Sequence, residues 1–251
     1  MMKKSIKILI LLFIVHVTFF STSCEDALTL LPPQGQVKEE YWKKKEDVKA
    51  TLMGAYQSFA NMDNRLFYFG ELRGDLLEEG GNLANPLRNI MQSNIFPANP
   101  WVDWQPFYSV INSCNLVIKY APQVKKEDPT FTDFKFQAYR SEAIFLRSLA
   151  YFYLVRIYKD VPFVVKPYDT DAQDYFPSKT QGSTILDSVE VHLGNILSTI
   201  PKSYDTHTKT RGRATRGAVN ALLADIALWQ FDYEKCITHV NRVEENELYE
   251  L

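Results

Sequence analysis

The sequence predicts an all-α protein, and two of its features carry that prediction. Apolar residues recur at spacings of three and four over several long stretches, which is the period of an amphipathic helix. Proline and glycine fall mainly between these stretches, where they end helices and form turns. Because glycine is scarce and aromatic residues make up 14% of the chain, we expect a packed interior rather than a disordered chain.

The amino-terminal segment comes first and predicts export. Residues 1–23 combine a basic start with an apolar run of roughly a dozen residues, too short to span a bilayer, and end in small residues before Cys24. This pattern predicts a lipoprotein signal peptide over residues 1–23 with Cys24 as the lipidated residue. An ordinary secretory signal and an uncleaved anchor are the alternatives. Residues 24–37 contain a Pro-Pro pair and no period, so they predict a tether.

The helical domain is expected over residues 38–251. A first helix is predicted within residues 39–62, since its apolar positions follow the helical period. Residues 62–100 hold many glycine, proline and asparagine residues and predict a long loop with a short helical turn. A loop longer than about 15 residues in a compact domain is unusual and tends to be functional.

Three further helices follow. One begins near Trp104 and is expected to end before Pro122, and the next begins after Pro129 and ends at Tyr158. The second half of the latter is apolar almost all round, so we expect it at the centre of the fold. An extended piece over 161–166, a polar loop to about residue 179 and a helix over about 184–199 complete this part.

The last two helices are predicted to pack as an antiparallel hairpin, because only Phe231 and Asp232 separate them. Alanines recur every three residues along the first of the pair, and the sequence FDYEKC stands where a tetratricopeptide repeat turns into its second helix. Ala224 and Cys236 would occupy the repeat's two small-residue positions. We therefore expect a tetratricopeptide-like helical-repeat scaffold, with Thr215 as the cap of the hairpin's first helix.

In this order and spacing, several segments resemble the SusD/RagB family of outer-membrane lipoproteins. These are Cys24 with the acidic residues Glu25 and Asp26, ELRGD at 71–75, WQPFYSVINSCN at 104–115, residues 141–165 and residues 212–236. The resemblance implies an all-helical, tetratricopeptide-like scaffold beneath long, irregular, ligand-facing loops. It also implies that the chain corresponds to the amino-terminal half of the family's usual length, with the carboxy-terminal half absent.

Aromatic and amide side chains suggest the position of a ligand site. A sugar ring has an apolar face and a rim of hydroxyl groups, so its sites combine a flat aromatic side chain with amide or guanidinium hydrogen bonds. The long loop contains these groups, and we predict ligand contacts from Asn82, Arg88, Asn94, Asn99 and Trp101. For Trp101 the alternative is an anchor that packs the loop. Trp42, Trp104, Tyr108 and Trp229 are expected to pack in the core.

No catalytic residue, metal site or cofactor is predicted. Adjacent Glu78 and Glu79 in a glycine-rich loop are more simply solvated than paired for glycoside hydrolysis. The histidines lack metal-ligand spacing on one helix face, and GRATRG lacks the phosphate-loop pattern. Once the signal's three lysines are removed, 25 basic residues face 30 acidic ones, and no concentrated basic face predicts nucleic-acid binding. Cys114 and Cys236 are expected to be free thiols, or a disulfide if they meet.

By resemblance, the chain is expected to be a non-enzymatic, lipid-anchored protein of the outer membrane, exposed at the cell surface. It would bind an oligosaccharide, or a peptide, and deliver it to a SusC-like TonB-dependent transporter as partner. The competing hypothesis is a helical-repeat module of the envelope that mediates protein-protein interaction or peptide capture.

Overall fold

The computed structural model describes residues 41–74, 76–170 and 172–245, and these form helices and two short strands. In chain order the elements are α1 (Lys45–Ala60), α2 (Asp63–Gly70), α3 (Asn85–Met91), α4 (Gln105–Glu127), α5 (Asp133–Tyr158), β1 (Val161–Pro162), β2 (Lys179–Thr180), α6 (Gly182–Ile196), α7 (His207–Gly212), α8 (Arg216–Trp229) and α9 (Tyr233–Glu244). The all-α prediction is confirmed.

Helix α5 lies at the centre of the fold, as its all-round apolar pattern predicts. Helices α4 and α6 pack along it, and α1 packs against both α4 and α5. Residues on every side of α5 are buried between 141 and 155, including the charged Glu142 and Arg147. Arg147 donates to Asn115 Oδ1 of α4 at 2.8 Å, so the buried cation has a polar partner on the neighbouring helix.

The first helix begins later than predicted, at Lys45. Asp47 Oδ2 accepts the backbone N–H groups of Lys43 and Lys44 at 3.2 and 2.8 Å. Lys44 has an extended backbone and precedes the first helical residue. Asp128, after α4, accepts the Lys45 N–H at 2.9 Å. Hydrogen bonds from Thr130 and from Lys45 hold the pKa of Asp128 at about 2. These carboxylates satisfy donors that a helix start leaves unpaired.

The prediction that the second long helix ends before Pro122 is wrong. Helix α4 continues through Pro122 to Glu127. Proline removes one helical hydrogen bond, which costs about 3 kcal/mol in an ordinary helix interior. Ala121 and Val124 flank it and are completely buried, so packing of this last turn outweighs the local penalty.

The segment over 62–100 contains more helix than predicted. Instead of a long loop with one short turn, it contains α2 and α3, whose buried Phe69 and Ile90 form a small hydrophobic cluster with Leu72. The basic stretch before α8 contains the short helix α7, where Thr206 Oγ1 caps the helix by accepting the Lys209 N–H at 3.2 Å. These short helices are poor in helix-forming residues, so packing against the rest of the fold must stabilise them.

The extended piece at Val161 is confirmed and pairs antiparallel with β2, a strand that the sequence analysis missed. Val161 lies opposite Thr180, and Pro162 lies opposite Lys179. Helix α6 begins directly after β2, at Gly182, where Asp160 Oδ1 accepts the Gly182 N–H at 3.0 Å. A Cβ atom at Gly182 would lie 2.7 Å from the Lys159 carbonyl oxygen, so only glycine fits this approach.

Helices α8 and α9 form the predicted hairpin. Thr215 Oγ1 caps α8 by accepting the Ala218 N–H at 3.2 Å, as predicted, and Asp232 caps α9 through the Lys235 N–H at 3.1 Å. Ala224 and Ala227 are buried. Cys114 and Cys236 are free thiols, and burial raises the pKa of Cys114 to about 12, so this thiol stays protonated at neutral pH.

The tryptophans divide between core and surface. Trp42 is buried and stacks on Tyr120 with ring centroids 4.8 Å apart, as predicted. Trp229 was expected to pack in the core, but 45% of its surface is exposed at the end of α8. Its helical spacing does not distinguish a buried position from one at the end of a helix, where the neighbouring elements stop.

A buried ion pair joins α5 to the segment before α8. Arg213 donates to both carboxylate oxygens of Glu142, from Nε at 2.9 Å and from a terminal nitrogen at 2.6 Å, and Glu142 is completely buried. The Tyr56 hydroxyl of α1 donates to Glu142 at 2.8 Å and accepts the Ala214 N–H at 2.9 Å. Burial raises the pKa of the Glu142 carboxyl, and Arg213 opposes that shift by stabilising the carboxylate.

Replacing Gly182 by alanine should destabilise the protein, because the new methyl group collides with the Lys159 carbonyl and with Val155. We expect the free energy of unfolding in urea to fall by about 1–3 kcal/mol. Gly194 in the same helix has nothing within 4 Å of its Cβ position, so Gly194→Ala should leave stability unchanged or raise it by up to about 1 kcal/mol. Equal effects of the two substitutions would contradict the proposed close approach.

Removal of the Arg213 side chain should leave Glu142 as an uncompensated buried charge. We expect Arg213→Ala to lower the free energy of unfolding by about 3–5 kcal/mol, measured by urea denaturation at pH 7. The exposed pair of Lys209 and Asp205 is the control, and Lys209→Ala should cost less than about 1 kcal/mol. A loss below about 1 kcal/mol for Arg213→Ala would show that the pair contributes nothing to the folded state.

Candidate ligand-binding cleft

Two adjoining hollows form a cleft at the start of α4. The first has a volume of about 740 Å³ and lies between the loop before α4 and the end of α5. The second has a volume of about 510 Å³ and lies between the start of α4 and the segment that leads to β2. They share Asp103, Trp104 and Lys179, so we treat them as one site and call it the aromatic cleft. Its aromatic lining residues are Phe69, Phe96, Trp104, Tyr108, Tyr158, Tyr168, Tyr175 and Phe176.

Trp104 stands where the two hollows meet. It is the residue that immediately precedes α4, and its half-buried ring makes edge-on contacts with Tyr108 and Tyr158, at centroid distances of 6.0 and 5.7 Å. Lys179 Nζ lies 5.8 Å from the centre of the same ring. Edge-on aromatic contacts hold a ring in one orientation. The exposed part of Trp104 is therefore a rigid apolar surface inside the cleft.

The outer wall of the cleft is a loop that its own side chains hold in shape. Tyr168 and Tyr175 stack with centroids 5.3 Å apart and ring planes 17° apart. Gln173 accepts the Asp169 N–H at 2.8 Å and donates to the Pro167 carbonyl at 2.7 Å. These contacts preorganise the pair of rings, which lowers the entropic cost of binding a ligand against them.

The same loop is fastened to α4. Asn112 Oδ1 accepts the Tyr168 N–H at 2.7 Å, and Asp169 receives hydrogen bonds from Lys119 at 2.6 Å and from the Tyr120 hydroxyl at 2.5 Å. Helix α4 therefore positions both walls. Trp104 directly precedes its first residue, and Asn112 in its middle holds Tyr168.

The cleft is mostly apolar and carries balanced charge. Among its described lining residues, Asp103 and Lys179 carry charges of opposite sign, and Asp103 Oδ1 accepts the Gln105 N–H at 2.9 Å. Burial raises the pKa of the Tyr108, Tyr158 and Tyr168 phenols, so these hydroxyl groups stay protonated at neutral pH. Aromatic faces with a few polar groups suit an uncharged ring that has one apolar face.

Of the predicted ligand-contacting residues, Asn99 lies in the aromatic cleft. It is 8% exposed, and its amide holds the loop together. The side-chain nitrogen donates to the Pro86 carbonyl at 2.8 Å, and Oδ1 accepts the Trp101 N–H at 3.0 Å. Asn99 therefore shapes the wall of the cleft, and whether it also contacts a ligand stays a prediction.

Trp101 packs the loop against α2, the alternative that the sequence left open. Its half-buried ring meets Tyr68 edge-on at 4.6 Å, and the Arg65 guanidinium lies 5.8 Å from the ring centre and donates to the Trp101 carbonyl. It also contacts the cluster of Phe69, Leu72 and Ile90.

The remaining predicted residues lie outside the lining of the aromatic cleft. Arg88 of α3 donates to Glu79 at 2.7 Å and to Asn85 at 2.7 Å, an exposed network that holds the segment before α3. Asn82 and Asn94 are exposed. The structure therefore does not bring the five predicted residues together around one space, and a ligand role for Arg88, Asn82 or Asn94 stays a prediction.

The cleft residues that the sequence analysis missed come from two places. Trp104 and Tyr108 follow the helical period and are predicted in the core, but both are only partly buried and line the cleft at the start of α4. Tyr168, Tyr175 and Phe176 lie in the polar loop, and Phe176 is 93% exposed. Three aromatic residues within a short loop bounded by Pro167 and Pro177 were the available signal.

The described part of the chain contains no group of three or more His, Cys, Asp or Glu side chains that could hold a metal ion. Within the same residues, no helix is long and apolar enough to cross a membrane. Glu79, considered above as half of an acid pair, is bound to Arg88, whose hydrogen bond lowers its pKa. The Glu79 carboxylate is therefore ionised and already bonded to Arg88 in this structure.

Paired helices beneath irregular segments define an all-α protein of the tetratricopeptide-like kind. A family model described as "Starch-binding associating with outer membrane" matches residues 32–228, and the chain therefore belongs to the SusD-like family. This finding confirms the resemblance found in the sequence.

Individual relatives agree with this assignment. SusD-like protein P38 of Formosa agariphila is 29% identical over 170 residues, which cover 66% of this chain and 32% of that protein. A SusD superfamily protein of Bacteroides thetaiotaomicron has the same fold, with a TM-score of 0.70 at 24% identity over 81% of this chain and 48% of its own. A laminarin-binding SusD-like protein gives a TM-score of 0.70 at 21% identity, covering 80% of this chain and 43% of its own.

The chain is shorter than these relatives. It spans 32 to 47% of the length of the curated relatives that it matches. The described fold thus corresponds to part of a SusD-like protein.

Proposed function

We propose that this chain binds a glycan in the aromatic cleft, as part of a non-enzymatic lipoprotein of the outer membrane. The observation that carries the proposal is Trp104, held at the meeting point of two hollows whose other walls are aromatic. A pyranose ring stacks its apolar face on such a surface, while Asp103, Gln105 and Lys179 can bond to its hydroxyl groups. The family description and the laminarin-binding neighbour support this choice of ligand class.

Delivery to a SusC-like TonB-dependent transporter is the second part of the proposal. A binding protein that is tethered beside a pore raises the local concentration of ligand there without any new contact. Cys24, which lies outside the described residues, would carry the lipid, and the following residues to 37 would form the tether. Glu25 and Asp26 would favour the outer face of the membrane.

An envelope module for protein interaction or peptide capture is the second candidate, and a separate surface favours it. Three apolar residues of α9, Tyr233, Ile237 and Val240, are 59%, 59% and 41% exposed. They recur at spacings of three and four, so they share one face of the helix. Glycan and peptide arrays separate the two candidates. If no glycan binds and a peptide or protein binds at the exposed face of α9, the interaction module is favoured.

Removal of one stacked ring from the cleft should weaken glycan binding. Tyr175 is 53% exposed and lies outside the helical core, so Tyr175→Ala should leave the helices folded, and loss of its ring should lower the affinity for a bound oligosaccharide by about tenfold. Isothermal titration calorimetry measures this directly. Tyr233→Ala removes a similarly exposed tyrosine from α9 and should change nothing, so equal losses in the two variants would argue against the aromatic cleft as the site.

Lipid attachment should depend on Cys24. In a Gram-negative host fed an alkyne fatty acid, the wild-type chain should incorporate the label and Cys24→Ala should not, because the thiol is the acceptor of the lipid. Cys236→Ala is the control and should be labelled like the wild type. Label retained in Cys24→Ala would overturn the proposed anchor. Acyl chains provide the affinity of a lipid-anchored protein for the membrane. The Cys24→Ala variant would lack them, so it should also leave the membrane fraction.

A further inference from the structure

A smaller hollow with a different chemical character adjoins the aromatic cleft. It has a volume of about 290 Å³ and lies between the turn after α2 and the ends of α5 and α8. Its lining shares Phe69 and Ile157 with the aromatic cleft, so the two spaces are neighbours. We call it the basic hollow and define it by Arg73, Tyr153, Arg156 and Trp229.

Arg156 is held in place by aromatic rings. Its guanidinium lies 5.3 Å from the centre of the Trp229 ring and 5.2 Å from that of Phe152. Its hydrogen bond to Asp225 is long, at 3.4 Å, and the side chains of both residues are partly exposed. A guanidinium stacked on rings keeps its N–H edge in a fixed plane, which is the arrangement that recognises a carboxylate or sulfate through two hydrogen bonds.

Arg73 supplies a second cation to the same space. It is exposed in the turn after α2, and among the described residues that line the basic hollow none is Asp or Glu. Among the described residues, nearby carboxylates are those of Asp225, which bonds Arg156 from outside the lining, and of Glu71, whose charge acts on Tyr153. Both carboxylates lie outside the lining, so the charged groups that face the space itself are the two guanidinium groups, which favour an anion there.

Tyr153 and Trp229 add the groups that a sugar unit requires. Burial raises the pKa of the Tyr153 phenol, so its hydroxyl stays a hydrogen-bond donor at neutral pH. Trp229 presents the 45% of its surface that the core leaves uncovered. A volume near 300 Å³ is at the lower limit for small-molecule sites and suits one sugar unit rather than a chain of several.

We propose that the basic hollow binds the anionic group of an acidic sugar, a carboxylate or a sulfate ester, whose neighbouring units occupy the aromatic cleft. The proposal rests on glycan binding in that cleft and names the ligand class as acidic glycans. Arg73 and Arg156 bond the anion, and Trp229 packs against the sugar ring. An uncharged sugar unit cannot make the charge-assisted bonds to Arg73 and Arg156, so the hollow selects for acidic glycans.

The test compares three oligosaccharides of equal length by calorimetry: one neutral, one built from uronic acids and one sulfated. The wild-type protein should bind at least one of the acidic ligands more tightly than the neutral one. Arg73→Gln should weaken that acidic ligand by tenfold or more, the usual loss for a charge-assisted hydrogen bond, and leave the neutral ligand unchanged. Arg242→Gln removes an exposed arginine from α9 and should affect neither.

Arg156→Lys distinguishes recognition by the guanidinium fork from simple attraction of charge. Lysine keeps the charge but cannot make two parallel hydrogen bonds, so affinity for the acidic ligand should fall although the net charge is unchanged. Comparing the affinities for the uronate and the sulfated oligosaccharide shows whether the hollow prefers a carboxylate or a sulfate ester. An Arg73→Gln variant that weakens neutral and acidic ligands equally, or neither, would overturn the proposal.

Failure of the proposal and failure of the glycan function give different results. Binding of neutral oligosaccharides alone would remove the basic hollow as a site and leave the aromatic cleft. A direct probe covers the case in which no oligosaccharide binds: free glucuronate and inorganic sulfate are titrated while tryptophan fluorescence is followed. A change that Arg73→Gln abolishes and Arg242→Gln keeps supports an anion site, and no change in the wild type overturns it.

Discussion

The buried ion pair between Glu142 and Arg213 is the contact on which the arrangement of the helices depends. A completely buried carboxylate is costly unless it is paired and hydrogen-bonded, and here Arg213 and the Tyr56 hydroxyl supply those bonds. The partners come from three segments that are far apart in sequence, so these bonds form only when α1, α5 and the α8 entry pack together. Tyr204 closes the site, since its ring lies 4.3 Å from the Arg213 guanidinium and its hydroxyl donates to the Ala214 carbonyl at 2.9 Å. The pair therefore links α1, α5 and the entry to α8 through one set of buried bonds.

Fixing α5 in this way has consequences at its opposite end. Helix α5 runs from Asp133 to Tyr158, and its last turns supply Tyr153, Arg156 and Tyr158 to the two candidate sites. A helix is stiff over this length, so an orientation set near Glu142 is transmitted to these residues, which lie about three to four turns later. The functional proposals thus rest on side chains that are positioned by the core. Binding surfaces built on a rigid helix keep their geometry better than those built on a free loop.

The sequence predicted the parts of the fold that depend on local pattern. The period of α5, the hairpin of α8 and α9 and the cap at Thr215 were all visible because each is set by residues close in the chain. The continuation of α4 past Pro122 could not be predicted from local pattern, since it depends on the burial of Ala121 and Val124 by other elements. The site was harder to predict for the same reason. Asn99 and Trp101 have the chemistry of ligand contacts, but their tertiary neighbours use them to hold the loop, while Trp104 and Tyr175 are brought together only by folding.

The meeting of Trp104 with Lys179 shows how closely the cleft depends on backbone register. Lys179 lies in a strand of two residues, and a shift of one residue in its pairing with Pro162 would turn the side chain to the other face. So short a ladder cannot specify its own register. The hydrogen bond from the Gly182 N–H to Asp160 supports this register, because it joins the residue before β1 to the first residue of α6 at one end of the strand pair. Lys159, with a left-handed φ of 68°, ends α5 and brings its carbonyl against Gly182, where a side chain cannot fit. Because Gly182 has no side chain, the end of α5 can lie close to the start of α6, next to the strand that carries Lys179.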